Sequence, residues 1–167
     1  MRRSMLSAAA WAAALLGGAS CEAADPPKVA LEVGVGDLQP GDVKSFRWQG
    51  RPYLVVRTTD AMLEDLYAQT PHTWSGREVT GAPAFFVVSG SGAEPGCLLA
   101  HEPAGAPRYA PGRVWQGGFY DPCRFGEWDY AGRAIRQYAD QDEAMRRSDL
   151  VPPPFQVKDR SSLRVGP

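Results

Sequence analysis

The sequence predicts a mostly β, antiparallel domain with one short inserted helix, preceded by an N-terminal signal or anchor helix. Glycine and proline, at 18 and 15, make up about a fifth of the 167 residues, too many for a helical bundle. Apolar residues alternate with other residues over 29–35, which is the period of a half-buried strand. The apolar fraction of 44% is enough for a packed core, and the length suits one domain with a terminal extension.

Further strands are predicted from apolar runs bounded by turn residues. Phe46 and Trp48 alternate with polar residues, and the turn at 49–52 leads into the run 53–56, which reads as buried on both faces. Pro152–Pro154 cannot donate to a ladder and give the segment 149–157 the character of an edge strand. The other predicted elements are a central strand at 84–88 and a hairpin over 117–120 and 127–130.

One short helix is predicted at 61–66. Thr58 and Thr59 offer an N-cap, and Asp60 places an acidic group in the first turn. The apolar residues that follow have helical spacing: Met62, Leu63 and Leu66.

Residues 1–24 have the features of an export segment. Arg2 and Arg3 precede an uncharged stretch, in the order of a twin-arginine signal. The stretch 5–20 would make a helix of about 24 Å, shorter than the roughly 30 Å hydrocarbon core, which favours a cleaved signal over a membrane anchor. Lipidation at Cys21 is a third alternative, because small residues precede it. Each alternative predicts a protein on the periplasmic side of the inner membrane.

Charge and cysteine content narrow the function classes. The chain has 18 Lys and Arg against 19 Asp and Glu and no basic stripe, so nucleic acid is excluded as a partner. Three cysteines are an odd number, so one must be free, removed or modified if the others pair. Cys21 belongs to the export segment, which leaves Cys97 and Cys123 in an oxidising compartment.

Five motifs follow one another in a fixed order along residues 27–160: Trp48–Pro52, Thr58–Leu66, Trp115–Phe119, Asp129–Arg133 and Asp149–Pro153. Together they resemble the Rieske iron-sulfur subunit of proteobacterial ubiquinol:cytochrome c oxidoreductase. The resemblance implies a Rieske-like domain over 25–167, with about 90–136 as its cluster-binding subdomain. It also implies a respiratory complex as the partner, and a signal that is commonly kept as an anchor.

The chain departs from that family at the cluster. A Rieske 2Fe-2S centre needs two cysteine thiolates and two histidine imidazoles. When Cys97 and Cys123 are placed on the family's loop-to-loop disulfide, none of the four ligand positions keeps its ligand, so we expect no cofactor, no metal and no catalytic residue. The four former ligand positions hold Gly92, Glu94, Asp121 and Arg124. Residues around the cluster also differ, at Gly126, Trp128 and 137–141.

Other chemistry at these positions has several alternatives. The chain's two histidines, His72 and His101, match no ligand position, and we expect both to be surface or satisfied loop residues. Glu94 and Asp121, with His101, form an allowed set for a hard cation. An ion pair of Asp121 or Glu94 with Arg124 is favoured over it. A reactive dithiol is disfavoured, since no Cys-x-x-Cys or adjacent histidine is present.

The sequence thus predicts a cluster-less Rieske-like accessory or structural subunit that is not itself an enzyme. Its expected partner is a quinol:cytochrome c oxidoreductase complex or a true Rieske subunit. The alternative function is an electron-carrying iron-sulfur subunit with a 2Fe-2S or other metal centre. A binding module that uses the loops at 90–112 is a third possibility.

Overall fold

Short strands and one α-helix form the described part of the chain, residues 29–92, 96–105, 115–136 and 148–167 of the computed structural model. The predicted signal or anchor at 1–24 lies outside these residues. Within them, no helix has the length and apolar character needed to cross a membrane. The elements are β1 Leu31–Gly34, β2 Val43–Trp48, β3 Arg51–Arg57, α1 Asp60–Gln69, a 3₁₀ turn Thr70–His72, β4 Phe85–Ser89, β5 Ala100–Glu102, β6 Gly118–Tyr120, β7 Glu127–Trp128, β8 Phe155–Val157 and β9 Ser162–Val165.

The strands form three small antiparallel sheets, in the orders β1-β9-β8, β2-β3-β4 and β5-β6-β7. This confirms the prediction of a mostly β, antiparallel domain with one short helix. The prediction that 84–88 is a central strand is wrong, since β4 lies at the edge of its sheet. Its Phe85 and Val88 are nevertheless only 3% and 2% exposed, because other layers pack on both faces of the strand. That burial explains the apolar run.

Strand β3 lies between two hydrophobic clusters, so the prediction that its apolar run is buried on both faces is confirmed. Tyr53 and Val55 pack with β1 and β9. Leu54 and Val56 pack on the opposite side with α1 and the residues of β6 and β7. The alternation follows from the two-residue period of a strand. Sheet β2-β3-β4 is therefore the middle layer that carries the small sheet β5-β6-β7.

Helix α1 begins where the capping residues predict. The Thr59 hydroxyl oxygen accepts a hydrogen bond from the Met62 N–H at 3.1 Å. Leu63 and Leu66 are buried against β3 and β7. The helix continues to Gln69, about one turn beyond the predicted end.

The C-terminal segment completes the first sheet. Strand β8 pairs only with β9, which confirms the edge character expected of 149–157. Strand β9 was not predicted, although its strand period is visible in the sequence, where Leu163 and Val165 alternate with Ser162 and Arg164. Both apolar residues are fully buried. The strand inserts between β1 and β8 and so brings the two ends of the domain together.

A buried ion pair fastens helix α1 to the segment after β7. Arg133 is 0% exposed, and its Nε donates to Oδ2 of Asp129 at 2.7 Å. Nη1 donates to the Thr70 hydroxyl at 2.9 Å and to the Arg77 carbonyl at 2.8 Å, and Nη2 donates to the Leu66 carbonyl. The guanidinium therefore joins three separate parts of the chain.

Asp149 extends this network towards the C-terminal segment. One carboxylate oxygen accepts from Ser75 at 2.9 Å and from Arg77 Nε at 3.0 Å, and the other accepts from the Ala134 N–H at 3.0 Å. The adjacent Leu150 N–H donates to the Gly132 carbonyl at 2.7 Å. These polar contacts join helix α1, the segment after β7 and the C-terminal segment, and we call this connected part of the domain the frame. The loops around β5, β6 and β7 are attached to it.

Substitution Asp129→Asn is expected to lower the free energy of unfolding by about 3 kcal/mol. The amide keeps the shape of the side chain but leaves the Arg133 charge buried without its counter-charge. Equilibrium urea denaturation measures the change. Asp37→Asn is the matched control, because Asp37 pairs with Lys44 at the exposed surface and should alter stability little. Equal effects of the two substitutions would contradict the role given to the buried pair.

Candidate site around the Cys97–Cys123 disulfide

A disulfide joins Cys97 to Cys123, with 6.3 Å between their Cα atoms. Cys97 lies before β5 and is 6% exposed, while Cys123 lies in the turn between β6 and β7 and faces solvent. The two residues are separated by 26 positions. Chain entropy gives such a cross-link a stabilisation of about 3.5 kcal/mol. The pairing agrees with the one that the family resemblance implied.

Asp121 organises the turn that carries Cys123. Its Oδ1 accepts hydrogen bonds from the N–H groups of Cys123 at 2.8 Å and Arg124 at 3.2 Å. This is the arrangement by which aspartate stabilises turns. The same oxygen lies 3.0 Å from the Cys97 sulfur. A disulfide sulfur carries no hydrogen, so this approach is a close contact and not a hydrogen bond. The carboxylate is 0% exposed.

Gly92 lies directly against Asp121. A Cβ atom at position 92 would lie 2.1 Å from Oδ2 of Asp121, so no side chain fits there without moving the carboxylate. Among the described residues this Oδ2 atom has no hydrogen-bond partner. The Gly92 N–H donates weakly to the Cys97 carbonyl at 3.4 Å, which folds the first loop back on itself. Two of the four former ligand positions are therefore in contact, one as a glycine and the other as the carboxylate beside it.

The other two former ligand positions hold Glu94 and Arg124. Asp121 contacts Arg124 through the main-chain N–H of Arg124, so the expected ion pair is not confirmed for Asp121. Glu94 lies outside the described residues, and so does its version of the ion pair. Position 124 carries a guanidinium, which has no lone pair for a metal.

Gly126 and Trp128 form a second pair in which a glycine makes room for a neighbour. A Cβ atom at position 126 would lie 2.4 Å from the Trp128 ring. The indole is 1% exposed, and its Nε1 donates to the Ser148 carbonyl at 2.8 Å. The large ring thus fills the interior beside the second loop. The differing segment at 137–141 lies outside the described residues.

Neither histidine belongs to the group of side chains around the Cys97–Cys123 disulfide. His101 Nε2 is 3.2 Å from the Tyr130 hydroxyl, and its ring packs near Phe119 and Tyr130. Partial burial lowers the pKa of His101 and raises the pKa of Tyr130. Both shifts favour the neutral groups, and the His101 tautomer decides which of the two donates the hydrogen bond. His72 is exposed in the 3₁₀ turn.

One group of metal-capable side chains is present among the described residues. It consists of Cys97, Asp121 and Cys123, whose ligand atoms all lie within 4.8 Å of one another. His101 is not part of it, so the described residues do not assemble the predicted hard-cation set of Asp121 with His101. The grouping of Asp121 with the two disulfide cysteines was not anticipated. The Asp-Pro-Cys sequence at 121–123, a turn-initiating dipeptide before a cysteine, is the signal that could have indicated it.

Comparison with known proteins finds a distant relative. The ubiquinol-cytochrome c reductase iron-sulfur subunit of Allochromatium vinosum is 26% identical over 119 residues, which cover 64% of this chain. The chain is distantly related to this iron-sulfur subunit. The matched region spans 57% of that protein's length.

No family model matches the chain. A chain of the solved structure described as "Hyperthermophilic respiratory Complex III" is 18% identical, with a TM-score of 0.48; the match covers 89% of this chain and 82% of that one.

The residues described around the disulfide do not fit a 2Fe-2S cluster of the Rieske type. Such a cluster takes two thiolates and two imidazoles. Gly92 offers no donor, Asp121 offers a carboxylate, and Arg124 offers a cation. Both cysteine sulfurs are bonded to each other.

The His101 environment predicts a pH dependence of stability. Because the folded-state pKa lies below the ordinary value of 6.5, the unfolded chain binds more protons in the interval between them. Stability from this residue is complete above pH 6.5 and is lost as the pH falls through that interval. His101→Gln should flatten the dependence, measured by urea denaturation between pH 8 and pH 5. Parallel curves for both proteins would contradict the assignment.

Proposed function

We propose that the protein is a cluster-less accessory or structural subunit of a quinol:cytochrome c oxidoreductase-type respiratory complex. It carries no electrons of its own and acts on the periplasmic side of the inner membrane. The observation that carries the proposal is the contact between Gly92 and Asp121, in which a carboxylate occupies the space beside a position that has no side chain.

The chemistry of this contact supports loss of the cluster. Restoring a thiolate at position 92 requires a Cβ atom where Asp121 Oδ2 now lies. The two positions are thus adapted to each other. The disulfide at Cys97 and Cys123 still joins the loops, so the subdomain keeps a cross-link that needs no iron. A disulfide also suits the oxidising compartment to which the segment 1–24 would direct the chain.

An apolar surface beside the disulfide supports the role of a bound subunit. Leu98 is 55% exposed next to Cys97, and Phe125 is 57% exposed two residues after Cys123. Phe125 also has a φ of 59°, a conformation that is uncommon for a bulky residue. Exposed apolar side chains on both sides of one cross-link offer a surface for a protein contact. The distant relative is a subunit of ubiquinol-cytochrome c reductase, which suggests a respiratory complex as the partner.

The electron-carrying iron-sulfur subunit remains the alternative function. It requires ligands other than the described residues at positions 92, 121 and 124. Iron content separates the two functions directly.

Aerobically purified full-length protein is expected to be colourless and to contain far less than one iron per chain. The described donors at the former ligand positions do not bind iron-sulfur clusters in the Rieske manner. The measurements are the visible absorption spectrum and total iron by metal analysis. Stoichiometric iron together with a reddish charge-transfer band would overturn the proposal and establish the alternative.

The partner is tested with a tagged chain expressed in its native host and purified from detergent-solubilised membranes. We expect b- and c-type haem to co-purify with the wild-type chain, and the double substitution Leu98→Ser/Phe125→Ser to reduce the haem yield by about tenfold or more. Val151→Ser is the matched control, since Val151 is 76% exposed away from the disulfide. Absence of haem from the wild-type sample would overturn the assignment of the partner.

A further inference from the structure

We propose that reduction of the Cys97–Cys123 disulfide creates a zinc site in which both cysteine thiolates and the Asp121 carboxylate are ligands. The ligand atoms of the three residues already lie within 4.8 Å of one another. Two sulfurs and one carboxylate oxygen are a donor set that Zn²⁺ binds, with a solvent molecule in the fourth position. The exposed side of Cys123 provides that opening.

The main chain, and not only the disulfide, holds the three ligands together. Asp121 Oδ1 is fixed to the turn by two N–H groups, those of Cys123 and Arg124. On the other loop, the Leu99 N–H donates to the Gly90 carbonyl at 3.0 Å and keeps Cys97 in place. The two loops continue into β5 and β6, which pair with each other. Breaking the S–S bond therefore leaves the thiols facing the same carboxylate.

Asp121 has unused binding capacity in this position. Its Oδ2 is buried and accepts no hydrogen bond, and a buried acceptor without a partner is costly. A turn residue needs only the oxygen that faces the backbone, which is Oδ1 here. Oδ1 lies 3.0 Å from the Cys97 sulfur and Oδ2 faces Gly92, so the buried carboxylate is beside the sulfurs with one of its two oxygens still available to a cation.

Reduction of the disulfide precedes binding of the metal. A dithiol reductant gives two electrons and two protons to the disulfide, which becomes two thiols while the reductant becomes a disulfide. Zn²⁺ then displaces both thiol protons to solvent and binds the thiolates at about 2.3 Å. Two thiolates, one carboxylate and Zn²⁺ leave a site with a net charge of -1. Reoxidation by a disulfide would release the ion.

The experiment uses full-length protein carrying Cys21→Ser, which removes the third thiol. The protein is reduced anaerobically with a phosphine and titrated with Zn²⁺ against a chromophoric chelator. Oxidised protein is titrated in parallel, and circular dichroism follows the fold. We expect one Zn²⁺ per chain in the reduced protein and none in the oxidised protein. Co²⁺ in place of Zn²⁺ should give thiolate-to-metal charge-transfer absorption.

Variants assign the ligands. Cys97→Ser and Cys123→Ser should each abolish the charge-transfer absorption of their thiolate and weaken Zn²⁺ binding. Asp121→Asn should weaken binding by about tenfold or more, because loss even of a residue that supports a ligand has an effect of that size. Gly92→Ala should also weaken it by displacing the carboxylate. Gly34→Ala is the matched control, since a Cβ atom there meets nothing within 4 Å.

Several outcomes would overturn the site. They are no Zn²⁺ uptake by reduced, folded protein, equal uptake by oxidised protein, unchanged affinity in Asp121→Asn, and a reduced protein that unfolds and does not refold with Zn²⁺. The iron measurement on aerobically purified protein is independent of this test, so the zinc site and the proposed subunit role can fail separately.

Discussion

The Asp129–Arg133 pair is the constraint on which the rest of the domain depends. A guanidinium that is 0% exposed must have every donor satisfied, and here its partners come from α1, the 3₁₀ turn and the segment at Arg77. Desolvation raises the pKa of Asp129, while Arg133 and the two main-chain N–H groups that donate to the carboxylate oppose that shift. All hydrogen bonds of Arg133 can form only when helix α1 and the segment after β7 lie in this relative position. The pair therefore specifies their arrangement as well as stabilising it.

The motifs that carry the family resemblance belong to this frame and not to metal chemistry. Gly118 illustrates the point, since a Cβ atom there would lie 2.1 Å from the Trp128 carbonyl oxygen. Gly132, with a φ of 75°, brings Asp129–Arg133 against Leu150. The former ligand positions lie outside this frame, at the tips of two loops. The hydrogen bonds that hold this frame involve neither position 92 nor position 121, so the residues at these two positions can differ while the frame is retained.

Local patterns predicted the elements that local forces determine. The Thr59 cap, the strand at 53–56 buried on both faces and the edge segment limited by Pro152–Pro154 follow from hydrogen bonding and burial within a few residues. Strand β4 was misplaced because an edge strand covered on both faces has the same composition as a central one. The contact of Gly92 with Asp121 was beyond sequence reasoning, since it joins loops 29 positions apart whose approach is set by β5 and β6.

The Gly92–Asp121 contact is also difficult to explain as turn formation alone. Serine at position 121 could accept the same kind of N–H bonds without a buried carboxylate, and its shorter side chain would leave room for a Cβ atom at position 92. The observed pair instead keeps Oδ2 buried and without a partner, 2.1 Å from where a side chain at position 92 would begin. An unsatisfied buried acceptor of this kind calls for an explanation, and a bound water or ion is one of them. Its position beside a cross-link with one buried and one exposed sulfur is the observation from which the proposed zinc site is argued.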